Sequence, residues 1–187
     1  MFIRTERLFL RPGWPEDWPE LLTQICDERI VRNLARAPWP YGPDDARSFA
    51  AQAQDPRCPN FFVTVPSAQG ARLIGSCGLG LHDGEVELGY WIARDEWGQG
   101  YATEAARAVL RMARVLGHRR IVAGHFLDNP GSGRVLAKLG FRPTGAVRPR
   151  FCLARGHEAP AAGYEIVLGQ AGDCDNPGDG APVMRAA

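Results

Sequence analysis

Apolar residues recur with two different periods along this chain, and the two periods predict where strands and helices lie. Over residues 85–92, apolar positions alternate with acidic or small ones, which is the two-residue period of a strand whose faces differ. Over residues 102–116, alanine, valine and leucine recur at helical spacing with arginines opposite, which predicts an amphipathic helix of about four turns. Gly117 is placed to end that helix. Residues 87–117 therefore pass from a strand through a glycine-rich turn into a helix.

The same periods predict the remaining elements. Strands are predicted at residues 5–12, 60–66, 72–81, 120–126, 141–148 and 162–168. Helices are predicted at residues 14–34, as two helices or one broken helix, and from Asp44 onward. Another helix follows Asn129, a favoured N-cap, and ends at Gly140. Since a polar turn at residues 82–84 makes a hairpin with the central strand, an antiparallel meander is expected.

Two segments lack the periodicity of regular structure. Residues 37–43 contain three prolines, which remove backbone donors and restrict their neighbours, so a loop is predicted. Trp39 and Tyr41 in this loop either cover a substrate entrance or pack the loop on the core. Residues 169–187 are rich in Gly, Asp, Pro and Ala, and predict a disordered tail after one domain at residues 1–168.

Composition narrows the classes of function. A net charge of +1 gives no general electrostatic case for binding nucleic acid or an anionic membrane surface. No window approaches the ~20 apolar residues of a membrane span, and the N-terminus lacks a signal-like apolar run, so a soluble cytoplasmic protein is expected. The five cysteines are widely spaced without a Cys-x-x-Cys pair, which argues against a disulfide framework and a zinc site. No metal is expected.

The turn between strand and helix has the composition of an anion site. Gly98 and Gly100 precede the predicted helix, where unpaired N–H groups and the helix dipole favour a phosphate. Dinucleotide-binding turns share this pattern, but Thr103 stands in place of their third glycine. No acidic strand end follows about 20 residues later, so a nucleotide-dependent reductase is disfavoured.

The run Trp97-Gly98-Gln99-Gly100-Tyr101-Ala102 resembles the acyl-CoA motif of the GNAT N-acetyltransferase superfamily, Gln/Arg-x-x-Gly-x-Gly/Ala, with Trp97 in the first place. With Glu-Leu-Gly-Tyr-Trp at residues 87–91, it looks like the branch containing the ribosomal-protein N-terminal acetyltransferases. The resemblance covers residues 5–168. It implies an α+β fold: a mixed, mostly antiparallel sheet of about seven strands, splayed between the fourth and fifth, with about four helices.

The resemblance also implies a reaction. The cosubstrate would be acetyl-CoA and the acceptor a primary amine, with a protein N-terminal amine favoured by the branch. Polyamines, amino sugars and amino acids remain open as acceptors, and the protein would be a monomer or homodimer. A non-catalytic acyl-CoA-binding module is the alternative from another class.

Several residues are candidates for binding the cofactor. A bulge in the central strand would present the backbone of Leu88, Gly89 and Tyr90 to the acyl oxygen and pantetheine. The pyrophosphate would lie over the turn and first helical residues: Gly98, Gln99, Gly100, Tyr101, Ala102 and Thr103.

Two residues are candidates for catalysis. Glu87 is a candidate base, through water, or a ligand for the acceptor ammonium, and the alternative is an exposed carboxylate in a surface ion pair. By resemblance, Asn129-x-x-Ser132 makes Ser132 the acid at the leaving thiolate, because Leu136 stands where a tyrosine is found elsewhere. The alternative for Ser132 is helix capping, and Asn129 combines capping with cofactor contact.

Three further polar residues fall near the predicted site. His125 ends an inner strand, where a satisfied structural histidine is the favoured interpretation. Arg134 and Lys138 either meet CoA phosphates or only solvate their helix.

Overall fold

A computed structural model describes residues 1–68 and 70–169, so the predicted tail from residue 170 and Cys174 lie outside the described residues. Within those residues one sheet runs in the order β1-β2-β3-β4-β5-β6-β8-β7. The strands are β1 (Ile3–Arg4), β2 (Phe9–Arg11), β3 (Asn60–Ser67), β4 (Gly70–His82), β5 (Glu85–Ile92), β6 (Arg120–Phe126), β7 (Arg142–Cys152) and β8 (His157–Val167). The helices are α1 (Trp18–Ile25), α2 (Glu28–Val31), α3 (Pro43–Ala50), α4 (Tyr101–Val115) and α5 (Pro130–Lys138).

The sheet confirms the predicted mixed, mostly antiparallel architecture and adds one strand to it. Of the strand expected at residues 5–12 only Phe9–Arg11 is formed, and the added strand, Ile3–Arg4, precedes it, because Thr5 N donates to Leu8 O at 2.9 Å and closes a turn between them. The strand expected from residue 162 begins earlier, at His157, and pairs with β7. Segment 14–34 contains two α-helices, as one of its two alternatives predicted.

The sheet is splayed between β5 and β6. These are its parallel neighbours, and within the described residues they pair only at Glu87 and Val122. Helix α4 makes the crossover that a parallel connection requires. Since β5 keeps its full ladder with β4 while β6 pairs with β8, the two halves of the sheet diverge and leave an opening between them.

The two faces of the sheet carry separate cores. Leu88 and Ile92 of β5 pack with α4 in one cluster, whereas Trp91 packs with residues of α1 and α3 in another. The predicted alternation of β5 is therefore confirmed, and Glu87 and Gly89 share the face of Trp91. This face looks toward α1–α3, and the opposite face looks toward α4 and α5.

The helix ends follow their local sequence. Gly117 and Gly140, with φ of 84° and 85°, follow α4 and α5 in the left-handed conformation that ends helices. The four described cysteines are free thiols. Across residues 1–68 and 70–169, no helix is long and apolar enough to cross a membrane, and no three potential metal-binding side chains cluster.

Candidate active site

A cavity of about 1200 Å³ opens where β5 and β6 diverge. This volume exceeds the ~300–1,000 Å³ of a typical ligand site, so two substrates can lie side by side. The predicted site residues that line it are Glu87, Leu88, Gly89, Tyr90, Gly98, Gly100, Tyr101, Ala102, Thr103, Asn129 and Ser132. Gln99, the remaining predicted residue of the turn, does not line the cavity. The splay brings together residues that lie far apart along the chain.

The glycine turn begins α4 in the conformation that an anion site requires. Gly98 and Gly100 have φ of 79° and 81°, a region that other residues enter only with strain. A Cβ added at Gly98 would meet no atom within 4 Å, so the approach to the backbone is open. The first N–H groups of α4, from Tyr101 onward, lack intrahelical acceptors. These features fit a pyrophosphate group.

Arg7 supports this turn from the other end of the chain, and no pattern in the sequence indicated this role. Its Nη1 donates to Gln99 O at 3.0 Å, and its Nη2 lies 2.6 Å from Glu104 Oε2. The backbone of Gln99 is thus anchored behind the turn, away from the cavity lining. Burial opposes ionisation of Glu104, but hydrogen bonds from Thr5 and Arg7 lower the pKa of this carboxyl below its usual value.

Trp97, which stands at the first place of the acyl-CoA motif, has a structural role. Its indole Nε1 donates to Ile92 O at 2.7 Å, at the end of β5. This hydrogen bond ties the turn to the strand, so the residue is a structural anchor that also lines the cavity.

Strand β5 has no bulge in its ladder with β4, so the prediction of a bulge beside the cavity is wrong. The β4–β5 register runs without a shift from Glu85 to Ile92. The opening arises instead because β6 leaves β5 after Glu87, so the edge at residues 88–90 has no strand partner within the described residues. A Cβ at Gly89 would meet nothing within 4 Å, which leaves this edge accessible.

Tyr90 and Ser132 form a hydroxyl pair across the cavity. Their oxygens lie 2.8 Å apart, and Tyr90 also donates to Ser132 O at 3.2 Å. Burial raises the pKa of Tyr90 to about 12, although the hydrogen bond with Ser132 acts against it. Asn129 caps α5 by accepting from Ser132 N at 3.3 Å, so the Ser132 hydroxyl is free of the capping role. Leu136 is fully buried in the core.

Glu87 is held by Arg150, which was not among the residues predicted from the sequence. Arg150 of β7 donates from Nη1 and Nη2 to the two carboxylate oxygens at 2.5 and 2.8 Å. The hydrogen bonds to Glu87 raise the pKa of Arg150 despite its burial. The side chain of Glu87 is 13% exposed and that of Arg150 is 21% exposed, so this is a largely desolvated, bidentate pair. Each carboxylate oxygen keeps a lone pair for a further donor.

The other candidates divide between the cavity and the core. Both ring nitrogens of His125 are engaged, at 2.8 Å from Phe126 O and 3.4 Å from Tyr164 Oη, which favours the structural interpretation. Arg134 and Lys138 line the cavity from α5. In the proline-rich loop, Tyr41 is buried and lines the cavity, whereas Trp39 is outside the lining.

Comparison with known proteins agrees with this geometry. The family model described as acetyltransferase (GNAT) domain matches residues 7–142. The uncharacterized N-acetyltransferase YnaD of Bacillus subtilis is 27% identical over 161 residues, covering 84% of this chain and 91% of that protein. A GNAT-family acetyltransferase from Bacillus anthracis has a TM-score of 0.76 at 25% identity, covering 89% and 98% of the two chains. RimL, a ribosomal-protein alpha-N-acetyltransferase solved with coenzyme A, shares the fold with a TM-score of 0.71 at 16% identity, covering 90% and 98%.

Proposed function

Because this chain belongs to the GNAT acetyltransferase family and is an acetyl-CoA-dependent acetyltransferase, we propose that it transfers the acetyl group directly to the N-terminal amine of a protein. The observation that carries the proposal is the single cavity that joins the glycine turn, the open edge of β5 and the Glu87 carboxylate. The acceptor class is supported by the fold shared with RimL and by the Glu-Leu-Gly-Tyr-Trp run.

The residues that would hold acetyl-CoA lie along one wall of the cavity. The turn from Gly98 to Thr103 would bind the pyrophosphate through backbone N–H groups. Arg134 and Lys138 of α5 supply positive charge for its phosphates. The unpartnered edge at residues 88–90 would bind the pantetheine amide and the acyl oxygen, as a strand edge binds an extended ligand.

The acceptor would bind on the face of β5 that carries Glu87 and looks toward α1–α3. Glu87 keeps free lone pairs despite its ion pair with Arg150, so it can receive an ammonium N–H. Water beside Glu87 would accept the amine proton, which frees the nitrogen lone pair to attack the acyl carbon. The new C–N bond forms as the C–S bond breaks, and the electron pair of that bond leaves on sulfur.

The Tyr90–Ser132 pair would meet the charge that develops on sulfur. A thiol in water has a pKa of about 8.5, and burial raises the pKa of Tyr90 to about 12, so transfer of the Tyr90 proton to the thiolate is disfavoured. The Ser132 hydroxyl would therefore stabilise the thiolate by hydrogen bonding, and the sulfur would take its proton from solvent. This requires the single Tyr90 proton to turn from Ser132 O, its acceptor in the structure, to Ser132 Oγ, because only then is the Ser132 proton free for sulfur.

The test is thiol release from acetyl-CoA with N-terminal peptides, polyamines and aminoglycosides as acceptors. We expect turnover with the peptides and a product acetylated at the N-terminal amine, identified by mass spectrometry. Turnover with polyamines or aminoglycosides alone would favour the small-molecule alternative. Tight binding of acetyl-CoA without turnover of any amine would instead identify a non-catalytic acyl-CoA-binding module.

A further inference from the structure

Glu87 pairs with one guanidinium group, that of Arg150, and a second, that of Arg36, lies over the glycine opposite Glu87 in β4. Gly80 of β4 is directly opposite Glu87, and a Cβ there would lie 3.5 Å from Arg36 Nη2. On β6, a Cβ at Gly124 would lie 3.3 Å from Arg150 Nη1 and 3.9 Å from Glu87 Oε1. The missing side chains therefore leave space on this face of the sheet for both guanidinium groups.

Both arginines are positioned by the β7–β8 hairpin. Arg150 lies on β7 itself, next to the turn that joins the two strands. The loop that carries Arg36 is attached to the same turn, since Leu153 N donates to Ala35 O at 3.0 Å and Arg155 Nε donates to Arg32 O at 2.8 Å. The location of Arg36 is thus defined by the fold, although its side chain is exposed.

The charges of the cavity leave Arg36 without a partner. The lining carboxylates are already engaged: Glu87 with Arg150, Glu96 with Arg72, Asp45 with Gly42 N and Asp55 with Arg57 N. In the part of the chain that the structure describes, Arg36 makes no hydrogen bond or ion pair. Arg36 is thus an unpaired cation of the cavity lining, and the charge of Glu87 is already paired with Arg150.

We propose that the acceptor carries an anionic group, a carboxylate or a phosphate, close to its reactive amine, and that Arg36 binds this group while Glu87 faces the amine. The inference rests on the acetyl transfer proposed above. Gly80 and Glu87 lie opposite each other on neighbouring strands, so the anion and the amine would bind side by side. An α-carboxylate, or an acidic side chain beside a protein N-terminus, satisfies this requirement.

The same charges disfavour the other acceptors. A polyamine or an amino sugar brings further positive charge next to Arg36, and like charges that cannot separate cost affinity. The unpaired guanidinium group of Arg36 also favours the neutral form of a nearby amine, which is the nucleophile. The Arg36 guanidinium would therefore both select the acceptor and favour the neutral, reactive form of its amine.

Matched acceptors test this inference. The probes are serine against serinamide, and a peptide amide with aspartate at its second position against its asparagine counterpart. We expect kcat/KM to be about tenfold higher for the anionic member of at least one pair. The pair that shows the difference identifies the source of the anion. Equal rates within both pairs would overturn the inference while leaving acetyl transfer intact.

Variants assign the effect to Arg36. Arg36→Gln should reduce the anionic preference to within about twofold. Arg111→Gln, which removes the same charge from the exposed side of α4, is the control and should keep the preference. An Arg36→Gln enzyme that still prefers the anionic acceptor would refute the role of Arg36.

A measurement without turnover separates this inference from the proposed function. Calorimetric titration of the CoA-saturated protein compares N-acetylserine with N-acetylserinamide, and the aspartate and asparagine peptides in their acetylated forms. We expect tighter binding of an anionic product, and Arg36→Gln should remove the difference. Equal affinities within both pairs would overturn the inference even if no amine is turned over.

Discussion

Replacement of Tyr90 by phenylalanine tests the proposed hydroxyl pair most directly. The substitution keeps the ring in the core and removes only the oxygen that lies 2.8 Å from Ser132 Oγ. A hydrogen bond that strengthens as charge develops contributes roughly 1.5–3 kcal/mol, and about 1.4 kcal/mol corresponds to tenfold in rate. We therefore expect kcat to fall by about tenfold to a hundredfold.

The assay combines kinetics with a double-mutant cycle. Initial rates of thiol release give kcat, and calorimetry gives the affinity for acetyl-CoA, which should change little because the ring is retained. If Tyr90 acts by orienting Ser132, then Tyr90→Phe in a Ser132→Ala background should cause no further loss. Tyr164→Phe is the matched control, because it removes another partly buried tyrosine hydroxyl, 3.4 Å from His125 Nε2.

Two results would refute this reasoning. Additive losses of kcat in the double variant would mean that Tyr90 and Ser132 act independently. An unchanged or higher kcat in Tyr90→Phe would mean that the Ser132 hydroxyl donates to Tyr90, in which case the pair restrains Ser132 rather than orienting it toward sulfur.

Three further predictions concern Gly100, Glu87 and Glu104. Gly100→Ala should weaken binding of acetyl-CoA, whereas Gly117→Ala, also at positive φ, should cost only stability, about 1 kcal/mol; calorimetry and urea unfolding distinguish them. Glu87→Gln should change the pH profile of kcat/KM, and an unchanged profile would remove Glu87 from proton handling. The pKa of Glu104 is lowered from 4.5 on folding, so its contribution to stability is present above pH 4.5 and is lost as the pH falls through the folded-state value. Urea unfolding of Glu104→Gln should accordingly depend less on pH in this range, and an identical dependence would contradict the assignment.

Local sequence determined the elements that carry the site. The two-residue period of β5, the period of α4 and the glycines at the helix ends depend on contacts within a few residues, so they are visible in the chain. The glycine turn before α4 was predicted for the same reason, whereas the left-handed backbone of Gly98 and Gly100 was found only in the structure. Asn129 was predicted as a cap because capping involves residues three positions apart.

The tertiary structure decided which side chains meet across the splay. Glu87 and Arg150 are 63 residues apart, and Tyr90 and Ser132 are 42 apart. Arg7 reaches the turn at Gln99 from 92 residues away. No local pattern records such pairs, because they depend on where β6 leaves β5 and on how far β7 extends.

The errors in the predictions have the same origin. A bulge was expected in β5 because a strand edge must be exposed to bind the cofactor, but the divergence of β6 exposes that edge while the ladder with β4 stays continuous. The sequence by itself determined the family motif, the helix that begins at an anion site and the faces of the central strand. Only the tertiary structure decided the partners of Glu87 and Ser132 and the position of Arg36, because these depend on long-range packing.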